Sequence, residues 1–361
     1  MKLLPSVADA VLALGSAAIP QLAAGQAAPS PYTSATRYDA MGRVTGTIAP
    51  DPDGAGPLKH AATRTTYDAA GRPTKVETGE LLTWHSETVA PASWTGFTVM
   101  STAETTYDVL GRKLTDWIKG SDQVTVSLTQ YSYDAVGRLE CTAIRMNPAI
   151  YGSLPASACT LGTTGSNGPD RITRNIYDAA GQLLQVRKAV GTPIEIADVT
   201  YSYTGNGKIK QVVDANGNRA ELRYDGHDRQ SRWVFASKTQ PSAFDDTNAM
   251  ATAGALNEAD YEEYTYDANG NRLTHRKRDG SVLAFTYDNL NRITKKTVPE
   301  RAGLAATHTR DVFYSYDLRS LQLQARFDSL AGAGVAYGYD GFGRAISETQ
   351  NTDGVSRTLA S

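Results

Sequence analysis

The stretch Tyr67-Asp68-Ala69-Ala70-Gly71-Arg72 is written again as Tyr107-Asp108-Val109-Leu110-Gly111-Arg112 and as Tyr133-Asp134-Ala135-Val136-Gly137-Arg138. Tyr38-Asp39-Ala40-Met41-Gly42-Arg43 precedes these copies, and Tyr339-Asp340-Gly341-Phe342-Gly343-Arg344 follows near the C-terminus. Looser copies fill the intervals: Tyr177-Asp178 with Gly181, Tyr203 with Gly207, Tyr224-Asp225 with Arg229, Tyr266-Asp267 with Gly270, Tyr287-Asp288 with Asn291-Arg292, and Tyr316-Asp317. Self-similarity at a spacing of roughly 20 to 45 residues is the signature of a repeat architecture.

Each copy lies between short alternating segments. Thr63-Arg64-Thr65-Thr66-Tyr67 and Leu128-Thr129-Gln130-Tyr131-Ser132-Tyr133 lead in, and Arg138-Leu139-Glu140-Cys141-Thr142 and Arg292-Ile293-Thr294-Lys295-Lys296 lead out. Thr, Tyr, Val and Ile at period two predict strands. Asp-x-x-Gly between them fits a type I turn whose Asp accepts backbone N–H bonds and whose Gly closes it at positive φ. The result is a hairpin loop with a bulge, and Asn291 stands where Gly stands elsewhere because Asn is next best in that conformation. Tyr packs across the ribbon with its hydroxyl reaching water or a backbone group, and the Arg stem either covers that ring or is simply an exposed strand residue.

These residues resemble the YD-repeat family, also called the Rhs repeat, from about residue 31 to the end. The family includes bacterial Rhs polymorphic toxins, the shell subunits of insecticidal toxin complexes, and the teneurin ectodomains. The resemblance implies an all-β fold: an elongated, spiralling ribbon of antiparallel hairpins forming an open arc of a shell. In several relatives the shell encloses a C-terminal toxin released by a self-cleaving core segment. Neither that segment's Asp-Pro-x-Gly-Leu signature nor a toxin-like domain follows Tyr339 here, so the expectation is a fragment or one piece of an assembly.

Composition narrows the function classes. Thirty-six Lys and Arg face 38 Asp and Glu, giving a net charge of −2, which argues against a nucleic-acid-binding surface. Nineteen Tyr against seven Phe and four Trp suit half-wet β surfaces rather than one thick core.

Residues 1–30 form an apolar, Ala-rich leader behind Lys2, which reads either as a secretory signal cut near Ala23 to Ala28 or as a helix or disordered leader. Pro5, Asp9 and Pro20 speak against a membrane span. The repeat array occupies 31–361, with loop insertions at about 145–170 and 241–260; Ala249 to Tyr261 is its one helical-looking stretch. Pro and Gly make residues 50–59 a loop. Cys141 and Cys159 flank the first insertion. They are either joined by a disulfide, which requires an oxidising compartment, or are two buried thiols.

The search for catalytic motifs returns near-misses. His60, His85, His227, His275 and His308 are scattered without His-x-x-x-His spacing. Gly207-Lys208 is followed by Ile209, and Gly332-Ala333-Gly334 has Tyr337 three residues on, so phosphate-loop and dinucleotide readings fail. Asp214-Ala215-Asn216-Gly217-Asn218 and Asp267-Ala268-Asn269-Gly270-Asn271 resemble the opening of a calcium loop, but Gly comes fourth rather than sixth, as a turn requires. The basic run His275-Arg276-Lys277-Arg278 reads as an exposed strand edge.

The expectation is therefore a non-enzymatic structural module of a secreted or surface β-shell, without cofactor or metal. Its partners would be the remainder of the shell or an enclosed polypeptide. The alternative is an adhesin-type module gripping carbohydrate or a surface protein with Trp84, Trp94, Trp117 and Trp233.

Overall fold

In the computed structural model, residues 33–54, 56–352 and 355–360 are described. The apolar leader at 1–30 lies outside them. The fold is all-β: 23 strands in an unclosed antiparallel sheet, with one turn of α-helix at Ala249–Thr252 and four short 3₁₀ turns among the described residues.

The chain divides into two compact units, residues 1–176 with 187–196 and residues 177–186 with 197–361. In the first, the ladder steps through Ala35–Tyr38, Val44–Ile48, His60–Tyr67, Pro73–Leu81, Phe97–Tyr107, Lys113–Lys119, Thr125–Tyr133, Leu139–Ile144 and Arg171–Tyr177, each antiparallel to the one before. Thr pairs add cross-strand hydrogen bonds, Thr47 with Thr63 at 2.7 Å and Thr106 with Thr115 at 2.6 Å.

A twisted sheet this thin needs cover, and in the first unit two connections supply it. Residues 82–96 fold back so that Trp94 packs with Ile48, Ala62 and Leu81, with Trp84, Val89 and Phe97 around them. Gly46 permits this, since a Cβ there would lie 2.6 Å from Pro91 Cγ and 2.7 Å from Trp94 Cη2. Residues 145–170 cover Cys141, Ala143 and Ile172 with Ala158, Cys159 and Leu161.

In the second unit the ladder continues through Ile209–Asp214, Arg219–Tyr224, Gln230–Ala236 and Leu256–Tyr266, and on to Val355–Ala360. Its insertion runs over 237–255, shorter than the 241–260 expected and shifted toward the N-terminus. Only Ala249–Thr252 is α-helical, and from Leu256 the chain is already strand. The Ala-rich run is overridden because Leu256–Tyr266 pairs on both sides, with Gln230–Ala236 and Arg272–Arg276. Arg219 Nη2 donates to Met250 O at 2.8 Å, and Ala197 N to Asp246 Oδ2 at 2.7 Å, tying the insertion down.

Candidate functional site: a clamp between successive hairpins

The repeated stretch is a hydrogen-bonded knot centred on its Asp. Asp68 N donates to Arg72 O at 2.9 Å, and Gly71 N donates back to Asp68 O at 3.0 Å. Oδ1 accepts from Ala70 N and Arg72 N, both at 2.9 Å, and Oδ2 accepts from Arg72 Nε at 2.7 Å. The same pattern holds Asp39, Asp108, Asp134, Asp225, Asp288 and Asp340 to the Arg four residues on. Asp178 does it with Gln182, whose N–H donates to Oδ1 at 2.8 Å. Asp214 and Asp267 use Asn218 and Asn271, whose Nδ2 donates to Oδ2 at 2.8 Å, so those stretches are turns of the same build.

Gly closes each knot at positive φ: +76° at Gly42, +82° at Gly71, +84° at Gly111, +90° at Gly137, +86° at Gly181, +89° at Gly270 and +80° at Gly343. Asn291 takes that conformation at φ +60°, and so do Asp228 and Ser320. The last two were invisible to a search for Gly or Asn.

In several knots the hydrogen bonds favour the carboxylate. The backbone N–H of Arg43, then its guanidinium, holds Asp39 below the ordinary carboxylate range, and Arg72 does the same for Asp68. At Asp288 the Arg292 guanidinium is the largest influence. At Asp108 and Asp134 desolvation is the largest influence and pushes upward, but the hydrogen bonds together outweigh it.

The Arg does not cover the Tyr of its own copy. With Nε held by Asp, the guanidinium points along the ladder and stacks on the Tyr of the following copy. Arg43 lies 4.5 Å from the Tyr67 ring centroid, Arg72 4.6 Å from Tyr107, Arg112 4.4 Å from Tyr133, Arg229 4.6 Å from Tyr266 and Arg292 4.7 Å from Tyr316. The Tyr hydroxyl completes the link by donating to the carbonyl just after that Arg: Tyr67 to Val44 O at 2.7 Å, Tyr107 to Pro73 O at 2.9 Å, Tyr133 to Lys113 O at 3.0 Å. In the second unit Tyr266 reaches Gln230 O, Tyr287 reaches Arg272 O and Tyr339 reaches Gln322 O, at 2.8, 2.8 and 3.0 Å. Arg229 Nη1 also donates to Asp267 O at 3.1 Å. Each hairpin is thus fastened to the next by side chains as well as by the ladder.

A second polar centre lies in the 145–170 insertion. Arg145 donates through Nε and Nη2 to Gln130 Oε1 at 3.0 and 2.6 Å, through Nη1 to Thr160 O at 2.8 Å and Asp170 Oδ2 at 2.6 Å, and through Nη2 to Ser157 O at 3.0 Å. Asp170 also accepts from Met146 N and Gly162 N at 2.9 and 2.8 Å. Cys141 and Cys159 are joined by a disulfide, with Cα atoms 5.2 Å apart.

In the run from His275 to Arg278, His275 and Arg276 are not on an edge, and Lys277 and Arg278 are exposed residues of the turn that follows. Arg272–Arg276 pairs on both sides, with Leu256–Tyr266 and Val282–Tyr287. Arg276 stacks on Tyr261 at 3.9 Å, and Arg278 stacks on Phe235 at 4.0 Å while pairing with Asp260. Beside them Tyr264 donates to Glu262 Oε2 at 2.7 Å, and burial together with that carboxylate pushes its hydroxyl up to about 12. Of the tryptophans, Trp94 is in the core, Trp84 packs on it, Trp117 donates to Thr115 Oγ1, and Trp233 is 37% exposed. Among the described residues no group of three or more His, Cys, Asp or Glu is placed to hold a metal ion, and no helix is long and apolar enough to cross a membrane.

Residues 264–302, which hold the knots at Asp267 and Asp288 and the Tyr287 hydroxyl link between them, match the RHS Repeat family. Residues 264–302 carry an RHS repeat. No curated protein matches it. Among solved structures it is similar to the crystal structure of TcdB2-TccC3 (17% identity, TM-score 0.40, 87% of this chain and 17% of that one). It is also similar to TcdB2-TccC3-TEV (13%, 0.39, 90% and 21%) and to the Tc holotoxin pore of Photorhabdus luminescens carrying TccC3-D651A (14%, 0.35, 90% and 21%). The chain therefore spans about a fifth of the length of these chains.

Proposed function

We propose that this RHS-repeat chain is a non-enzymatic structural module, one section of a secreted or surface-displayed β-shell that encloses or scaffolds a polypeptide. The observation that carries the reading is the clamp. Its Asp, Arg and Tyr are engaged in fastening successive hairpins, which makes a wall. The disulfide supports an oxidising destination outside the cytosol. The TcdB2-TccC3 assemblies supply the analogy for partners: further shell sections and an enclosed chain. The test is the native mass of the protein recovered from the medium of its producing cells. A species heavier than 38.7 kDa, through greater length or assembly with a second polypeptide, is expected. A stable monomer of that mass with hydrolytic turnover would overturn the reading.

A further inference from the structure

Two arginines are buried among the described residues, and they are kept in opposite ways. Arg145 is 1% exposed and directs five hydrogen bonds at acceptors, a carboxylate among them. Arg37 is 6% exposed, yet its side chain makes one hydrogen bond, from Nη2 to His85 O at 2.8 Å, lies over the Trp84 ring at 6.0 Å, and leaves its Nε buried with no acceptor. A guanidinium keeps its charge at any physiological pH, and a buried charge without a counter-ion is strongly destabilising.

Arg37 lines a cleft of about 640 Å³ in the first unit, between the Asp39 turn, the strands on either side of Tyr67 and the connection at 82–96. Four cations face it, Arg37, Arg43, Arg64 and Lys75, against three carboxylates, Asp39, Glu77 and Glu87. Arg43 holds Asp39, and Arg64 and Lys75 hold Glu77. Arg37 is left with Glu87, which sits on an exposed loop and acts on it only through space. The remaining lining carries hydroxyls from Thr45, Thr65 and Thr88, and Tyr38, which is 52% exposed.

We infer that this cleft binds a small monocarboxylate bearing hydroxyl groups, in chemical class a sugar acid, with its carboxylate against Arg37. A planar carboxylate matches the edge of a guanidinium. One net positive charge suits a monoanion, whereas a dianionic phosphate meets three fixed carboxylates. The threonine hydroxyls pair with hydroxyls, and the volume falls within the roughly 300–1,000 Å³ of small-molecule sites. The inference is independent of the scaffold role.

Isothermal titration of the full chain with glucuronate, glucose and inorganic phosphate tests it. Saturable glucuronate binding is expected, with glucose and phosphate weaker by about tenfold or more, the scale of a lost charge-assisted pair. Arg37→Gln should weaken glucuronate by a similar factor. Because that variant removes a buried side chain, Glu87→Gln provides the complementary arm. It removes a competing surface carboxylate and should tighten glucuronate about two- to fivefold, the scale of one exposed charge interaction. No saturable binding by the folded wild type, phosphate binding as tightly as glucuronate, or unchanged affinity in both variants would overturn the assignment.

Discussion

Replacing Arg145 with Met keeps most of the side-chain volume and removes every polar contact of the guanidinium. Gln130 Oε1 and Thr160 O then lose the guanidinium as donor, Ser157 O is left with Thr160 N, and Asp170 Oδ2 is left with Gly162 N. Asp170, 4% exposed, keeps Met146 N and Gly162 N but loses its counter-ion. Breaking one partner of a buried pair costs about 3–5 kcal/mol, because the other charge stays behind. Urea unfolding followed by tryptophan fluorescence reads this, since Trp117 meets Tyr151 of the same insertion edge-on at 6.0 Å. Hydrogen exchange over residues 145–170 localises it. Adding Asp170→Asn to the Met variant should cost less than Asp170→Asn alone, giving a coupling of roughly 1–3 kcal/mol in a double-mutant cycle. A loss under about 1 kcal/mol with unchanged exchange in the insertion would refute the reasoning that this ion pair organises it.

Three further outcomes follow from the same geometry. Reducing Cys141–Cys159, whose separation is 18 residues, should lower stability by about 3 kcal/mol, checked by urea midpoints with and without reductant. Gly111→Ala meets both a φ of +84° and Arg72 Nη1 at 3.2 Å, so it should cost about 1–2 kcal/mol and lower the thermal midpoint, whereas Gly152→Ala, where no atom lies within 4 Å, should cost little. Acid should loosen the ladder. Because the Asp39, Asp68 and Asp288 carboxyls are depressed in the fold, their contribution is complete above the ordinary value of 3.8 and is lost as pH falls below it through their folded values. Circular dichroism against pH should show a fall confined to that acid range, and a loss centred near neutrality would contradict it.

The turn was legible because its chemistry is local: Asp binds N–H groups two and four residues on, and Gly or Asn supplies positive φ. The partner of the Arg was not, because the Tyr it covers is 24 residues on from Arg43 and 35 from Arg72, a distance set by the connection between hairpins. Arg145 and Asp170 carried no motif at all. They lie 25 residues apart, in a loop where composition suggests solvent, and only the folded insertion brings them together. The run His275–Arg278 misled for a related reason. Charges usually mark an edge, yet here Tyr261, Phe235 and Asp260 on neighbouring strands give them aromatic faces and a counter-ion. Ala249 to Tyr261 shows ladder pairing overruling local helix propensity from Leu256 onward.

The central claim is that the repeat arginine fastens its hairpin to the following one, and double-mutant cycles on Arg72 test it directly. Pairing Arg72→Ala with Tyr107→Leu should give a coupling of about 0.5–1 kcal/mol, the strength of a half-exposed cation–π contact. Pairing it with Tyr67→Leu, the tyrosine of its own copy, should give a coupling near zero. Coupling to Tyr67 and none to Tyr107 would contradict the account.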